Sequence, residues 1–403
     1  MDQILAELFS GVVDMISIAG LKSLIMFVIA GVLIYLAIKK DYEPTLLLPI
    51  GFGCILANLP GAIDAVTGLK APAALGEAGF LSVLFDAGIA NELFPVLIFI
   101  AVGAMIDFSP LLKDPSMIFF GAAAQFGIFA TFLLSLVLIP IIPGLVAEGD
   151  SDMVMKLASA IGIIGAADGP TTLFVANHFQ LKDYMGPISV AAYSYMALVP
   201  VIQPPVIKAL TTKKERMIRM PYEQKAVSKT TRILFPIIIT VVASAIIPQA
   251  TALIGFLMFG NLIRECGVLD SLSETAQKVL ANLITIFLGI SVAFNMTADK
   301  FLQVDTLLIM GLGLVAFIVD TAGGVLFAKF LNLFLKKKVN PMIGAAGISA
   351  FPMSGRIVHK MALKEDPQNF LLMHSIGVNV SGQIASVIAG GIILNIAAKL
   401  MGG

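Results

Sequence analysis

Apolar residues run along this chain in blocks that approach or pass the roughly 20 residues needed to cross a bilayer. The blocks fall at about 20–38, 45–59, 92–107, 117–142 and 185–207, and again at 233–248, 251–265, 281–297, 306–334 and 371–399. Each is predicted to be a membrane-spanning helix. Two further apolar blocks, 156–178 and 342–358, are interrupted at their centres. In the first, Gly165 is followed by Asp168, Gly169 and Pro170. Glycine raises the entropic cost of helix, proline removes an N–H and clashes with the preceding turn, and a carboxylate at membrane depth is costly unless paired. In the second, Gly344, Gly347 and Pro352 stand among Asn340, Ser349, Ser354 and Arg356. Non-helical backbone survives in a membrane only where protein or a water-filled cavity covers it, so each break marks an expected ion or substrate site.

The two series match in order. Ile50-Gly51-Phe52 with Asn58 answers Ile254-Gly255-Phe256 with Asn261, and Phe99 followed by Asp107 answers Phe287 followed by Asn295. Ile161, Gly162, Gly165 and Pro170 recur at the same spacing as Ile343, Gly344, Gly347 and Pro352. The expected fold is therefore an all-α polytopic membrane protein made of two repeats of about five spans, each with a broken or re-entrant segment. Lys39-Lys40, Lys113, the 208–232 loop, Arg264, Lys336–Lys338 and the Arg356–Lys364 region are placed on the cytoplasmic side by the excess of positive charge there, and the acidic 148–152 loop outside. Sides alternate only if both broken segments dip in and return, 156–178 from outside and 342–358 from the cytoplasm. Five crossings per half is an odd number, which makes the repeats inverted. The domain reading is an N-terminal interfacial segment at 1–19, a first membrane repeat at 20–207, a basic cytoplasmic loop at 208–232 and a second membrane repeat at 233–403. Residues 60–91 have no counterpart in the second half.

Composition sharpens this. With 403 residues, 58% hydrophobic, 13% charged and a mean hydropathy of +0.96, the chain lies far from soluble averages. No soluble catalytic domain fits between the spans, so soluble chemistry must come from a partner. A formal net charge of zero argues against a nucleic-acid partner. Cys54 and Cys266 lie in apolar surroundings and give no disulfide framework, and His178, His359 and His374 lack zinc-ligand spacing.

Asp168 is the leading chemical candidate. Oxygens from Asp168, Asn340, Ser349 and freed backbone carbonyls suit a hard cation, and one carboxylate among neutral oxygens suits a monovalent ion. Within Ala191–Pro205, a phenol between prolines is either a hydrogen-bond or proton donor or an interfacial anchor, and Tyr195 and Tyr193 are both open to either reading. Asn379 and Ser381, in the matching last span, fit helix-to-helix hydrogen bonds of the kind small and polar residues make in membranes. Asp107 and Asn295 read as caps. Asp320 reads as a buried carboxylate without a nameable partner, open to binding a second ion. Arg356 suits an anionic group, since guanidinium matches carboxylate geometry.

Gly165–Thr171, the stretch 191–220, Asn340–Ser349 with Pro352 and Arg356, and Asn379–Gly382 together resemble the β subunit of the biotin-dependent sodium-pumping decarboxylases of oxaloacetate, methylmalonyl-CoA and glutaconyl-CoA. The resemblance runs from about residue 20 to the C-terminus. It implies a multi-pass subunit in the cytoplasmic membrane of a prokaryote that decarboxylates carboxybiotin delivered by a soluble carrier, consumes a proton from outside and exports Na+. It further implies Asp168, Asn340, Ser349 and Asn379 as the Na+ path, Asp168, Tyr195 and Arg356 as catalytic residues, and as cofactors Na+ and carboxybiotin held by a partner. The implied partners are a carboxyltransferase subunit, a biotin carrier, a small single-span subunit, membrane lipid and two further copies of this chain in a homotrimer. The alternative from the residues alone is an inverted-repeat secondary transporter for a cation or small anion.

Overall fold

The computed structural model describes residues 18–42, 44–59, 80–142, 145–147, 149–181, 184–221 and 226–402. Most of the 1–19 segment and of the 60–91 insert lies outside them. The described residues are helical, without strands. The principal helices are α1 (Ile18–Lys40), α2 (Pro44–Asn58), α3 (Leu93–Met105), α4 (Met117–Ala124), α5 (Phe126–Leu138), α6 (Ser151–Ile164), α7 (Gly169–His178), α8 (Met185–Leu210), α9 (Lys229–Ile246), α10 (Thr251–Glu265), α11 (Ala281–Ala293), α12 (Val304–Phe334), α13 (Met342–Ala345), α14 (Met353–Glu365) and α15 (Leu372–Leu400). Among the described residues seven helices are long and apolar enough to cross a membrane, or up to eight if the bent pair Leu81–Ala90 and Leu93–Met105 is one span.

The ten expected spans all appear as helices, but α2 and α10 have 15 residues each, so they reach ~22 Å at 1.5 Å per residue. That is less than a bilayer core; each packs one face on neighbouring helices and leaves apolar side chains such as Phe52 and Phe259 exposed on the other. The backbones of α3 and α10 touch: a Cβ on Gly103 or Gly260 would run into the carbonyl of Leu257 or Ile100 on the facing helix. Only glycine permits that approach.

The helix pairings of the first half recur in the second. α1 packs on α2 as α9 packs on α10, α2 on α11 as α10 on α3, α8 on α12 as α15 on α4, and α7 on α8 as α14 on α15. Each broken segment also begins and ends at one end of the bundle. The Tyr184 hydroxyl, just before α8, donates to the carbonyl of Leu145, just before α6. Asn340, before α13, and Asn369, after α14, both donate to the carbonyl of Arg216, at 2.8 and 3.0 Å. The breaks themselves meet: the Ser349 amide donates to the Ala166 carbonyl at 2.8 Å.

The basic 208–232 loop is docked on this end. Arg216 pairs with Glu365 at 2.7 Å and Arg219 with Asp366 at 2.6 Å. The Arg219 guanidinium holds the Asp366 carboxyl below the usual carboxylate range. A carboxyl depressed in this way stabilises the fold above its unfolded pKa, and the contribution disappears as pH falls through the folded value. Limited proteolysis of the loop is therefore expected to accelerate on acidification through that range, and Arg219→Gln to give the accelerated rate already at neutral pH. Packing gives a second expectation. Gly260→Leu should destabilise the detergent-solubilised protein by about 1–3 kcal/mol through overpacking, whereas Gly311→Leu, at a site with open space within 4 Å, should leave the thermal midpoint unchanged.

Candidate functional site

Asp168 sits where α6 ends and α7 starts. Ala167 before it has φ +52°, which turns the chain, and Asp168 itself is the N-cap of α7, its Oδ1 accepting from the Thr171 amide at 3.1 Å. Pro170 occupies the first turn of α7, where a missing N–H costs nothing. Gly169 and Pro170 thus begin a helix as much as they end one. Gly169 has a second role, since the Tyr193 ring lies on it; a Cβ there would come within 2.7 Å of the Tyr193 Cζ.

The other carboxylate oxygen faces the second break. Asp168 Oδ2 accepts from Ser349 Oγ at 3.0 Å and from Ser386 Oγ at 2.7 Å, and the two hydroxyls are 2.9 Å apart. Asp168 is 4% exposed, Ser349 5% and Ser386 0%. The helix N-terminus at Oδ1 and two hydroxyl donors at Oδ2 compensate a buried negative charge. The oxygens match a hard monovalent cation and include no sulfur.

The second break is held open by side-chain amides. Between α13 and α14 the backbone leaves the helix, and each carbonyl from 345 to 349 finds a side-chain donor on another element. Gln203 Nε2 donates to Ala345 at 2.7 Å, Asn379 Nδ2 to Ala346 at 3.0 Å and to Ile348 at 2.8 Å, and Gln125 Nε2 to Gly347 at 3.0 Å. Gln383 donates to Ser349. The glycines allow the close approach, Gly344 against Gly324 and Gly347 against Ala124. Gly165 in the first break packs likewise on Ala316 and the Asp320 carboxylate.

A cavity of about 320 Å³ opens on the junction. Asp168, Tyr193, Ser349 and Gln383 line it together with Met353 and Arg356. The Arg356 guanidinium has no hydrogen bond or ion pair among the described residues.

Set against the expectations, the structure brings Asp168 and Ser349 together and puts Arg356 on the same cavity. Asn340 is elsewhere. It lies at the start of the segment, where Nδ2 bonds the carbonyls of Arg216 and Ile218 and Oδ1 accepts from the Met342 amide at 3.1 Å, so its polar atoms are spent on anchoring the loop. Tyr195 is likewise turned away, its hydroxyl donating to the Met310 carbonyl. Residues two apart on a helix point to opposite sides, and Tyr193 is the one that reaches the cavity. Its buried hydroxyl has no partner among the described residues. Asn379 divides its roles: the amide nitrogen holds the break, while its buried Oδ1 has no partner among them. Asp107 caps Ser109 at 2.8 Å. Asp320 is fully buried, with Oδ1 accepting from the Ile128 amide at 2.9 Å. No His, Cys, Asp or Glu group suited to a transition metal occurs among the described residues.

Ser386 and the three glutamines escaped the sequence reading. The available signal was register: Asn379, Gln383 and Ser386 are at i, i+4 and i+7, one face of α15.

A carboxylate clasped between two broken segments and opening on a cavity places the chain among ion-translocating membrane proteins. Similarity to known proteins narrows this further. The chain belongs to the family of Na+-transporting oxaloacetate decarboxylase beta subunits, whose profile matches residues 22–397. It is 47% identical over 390 residues to the methylmalonyl-CoA decarboxylase subunit beta of Propionigenium modestum, covering 94% of this chain and 95% of that one. It is 44% identical over 420 aligned positions to the oxaloacetate decarboxylase beta chain of Klebsiella pneumoniae, covering 93% and 95%. The chain is thus a multi-pass bacterial membrane subunit of a Na+-transporting decarboxylase assembly.

Two substitutions separate scaffold from site. Gln203→Leu removes the amide's bonds to the Ala345 carbonyl and the Ser354 hydroxyl, leaving these two only each other, and is expected to cost about 1–3 kcal/mol of stability, read as a lower thermal midpoint. Tyr193→Phe should leave that midpoint unchanged, because its hydroxyl has no partner to lose.

Proposed function

We propose that this chain decarboxylates carboxybiotin brought by a soluble carrier and couples the reaction to outward movement of Na+ through Asp168. In the reaction the C–N bond to the carboxylate breaks, its electron pair stays on the ureido nitrogen, that nitrogen takes up a proton, and CO2 leaves. Arg356 orients the incoming carboxylate by its planar donors. The apolar walls of the cavity withdraw water from it, and Tyr193, the phenol at the cavity, hydrogen-bonds the ureido group.

The observation that carries this reading is the shared Asp168 Oδ2, held by one serine from each of two different segments in the same cavity as an unpaired arginine. Na+ takes the place between Asp168, Ser349 and Ser386, and the orphan Oδ1 of Asn379, two turns away on the same face of α15, offers an oxygen farther along its path. A proton on Asp168 replaces Na+ in the other state. Moving one charge against 100 mV costs about 2.3 kcal/mol, so decarboxylation must change the preference of this one site between two conformations. The recurring helix pairings and the same-end closure of each broken segment support two inverted repeats, 20–207 and 233–403, joined by a cytoplasmic 208–232 loop. The assembly reading is a trimer of this chain in lipid, with a small single-span subunit, a carboxyltransferase subunit and a biotin carrier.

Asp168→Asn is expected to abolish Na+-dependent decarboxylation in the reconstituted complex while leaving subunit assembly intact; retained Na+ stimulation would overturn the reading. Ser386→Ala should raise the Na+ concentration for half-maximal activity about tenfold, as befits loss of one ligand worth roughly 1.4 kcal/mol. Alone in liposomes the chain should carry out no Na+ exchange, and robust exchange there would favour a secondary transporter.

A further inference from the structure

The inner cavity is not where the unpaired positive charge accumulates. A second cavity of about 380 Å³ adjoins it, sharing Met353 and Arg356, and is lined by Lys40, Lys360 and Lys364 with Asp41 as the one acid. Arg356, Lys360 and Lys364 stand at i, i+4 and i+8 on α14, so the three charges descend one face of one helix toward the partition between the cavities. Like charges four residues apart destabilise a helix. Lys40, at the end of α1, adds a fourth from another helix. None of the four has an ion pair or side-chain hydrogen bond among the described residues. In the adjacent loop, by contrast, Arg216 and Arg219 are bound to Glu365 and Asp366, and Glu215 is bound to Lys329 of α12. Orientation in the membrane requires only that positive charge lie on this side. It does not require a row of unpaired cations running down a helix into a cavity.

We infer that Lys40, Lys360 and Lys364 form a receiving site for a carboxylate on a flexible arm, where the carboxylated ureido group rests before it passes Arg356 into the inner cavity. This rests on the decarboxylase reading above. The division of labour follows from the side chains. Ammonium groups are hydrated point charges that attract an anion without fixing its angle, and the guanidinium at the partition imposes bidentate geometry. The lysines therefore set capture and the arginine sets orientation, so the lysines act on substrate affinity and leave the chemical step alone. The apolar floor given by Pro200 and Pro204 suits the uncharged rings that carry the carboxylate.

The test uses the assembled complex with two substrates, the carboxylated carrier and free carboxybiotin, at low and high ionic strength. In Lys40→Gln/Lys360→Gln/Lys364→Gln, KM for both substrates should rise about tenfold at low salt, and the difference from wild type should shrink as salt screens the charges. The kcat should stay within about twofold, since no group that touches the reacting bond has changed. Lys→Arg at all three sites should restore KM, which separates lost charge from misfolding, and Lys213→Gln/Lys214→Gln in the docked loop should behave as wild type. An unchanged KM and salt dependence would overturn the inference. So would a rise confined to the carrier, which would assign the lysines to the carrier's protein surface, and so would a fall in kcat at constant KM. A wild-type complex that fails to decarboxylate either substrate overturns the reading beneath it, a result distinct from any lysine effect.

Discussion

Within a membrane every backbone carbonyl that leaves a helix needs a donor from the protein, and in this chain that requirement shapes the centre. The second break exposes five carbonyls in a row, 345–349, and amides on Gln203, Asn379, Gln125 and Gln383 meet all of them. Those amides come from α8, α15 and the kink between α4 and α5. The break is therefore a junction of three elements, and its conformation is fixed only when all three are in place. An unmet buried carbonyl would cost about as much as several ordinary contacts gain. The small residues around it, Gly324, Gly344 and Gly347, let the donors come close enough.

The same junction makes a buried charge tolerable. Asp168 caps the helix that follows it and receives two hydroxyls from the opposite half of the chain. The N-terminus of α7 is a permanent donor, while the hydroxyl hydrogens can turn away when a cation replaces them. A site built this way keeps one fixed and one exchangeable set of partners. That asymmetry suits the proposed exchange of an ion that must be bound and then released, at the contact between the two breaks.

Much of the architecture was legible from the chain. Hydrophobic blocks located the helices, and the Gly-x-x-Gly-x-x-x-x-Pro correspondence located both breaks, because glycine and proline act through local backbone chemistry. Asp168 and Ser349 were legible because polar groups at membrane depth are expensive. Asn340 misled for the same reason: its cost is met by the 208–232 loop, a tertiary partner that no spacing announces. Tyr195 and Tyr193 differ only by which side of α8 faces the cavity, and that depends on packing against α7 and α12. The glutamines look like isolated polar residues in apolar spans until the carbonyls they serve are positioned. The end of the bundle that gathers charge was visible as composition, but the separation into a loop docked through Arg216 and Arg219 and an unpaired row on α14 needed three dimensions.

The proposed exchange at Asp168 has a direct thermodynamic signature. Calorimetric titration of the purified complex with Na+, in buffers of different ionisation enthalpy, counts protons released per Na+ bound. The account predicts proton release coupled to Na+ binding in the wild type, and neither in Asp168→Asn. Undiminished Na+ binding in that variant, or binding in the wild type with no proton release at any pH where decarboxylation runs, would contradict it.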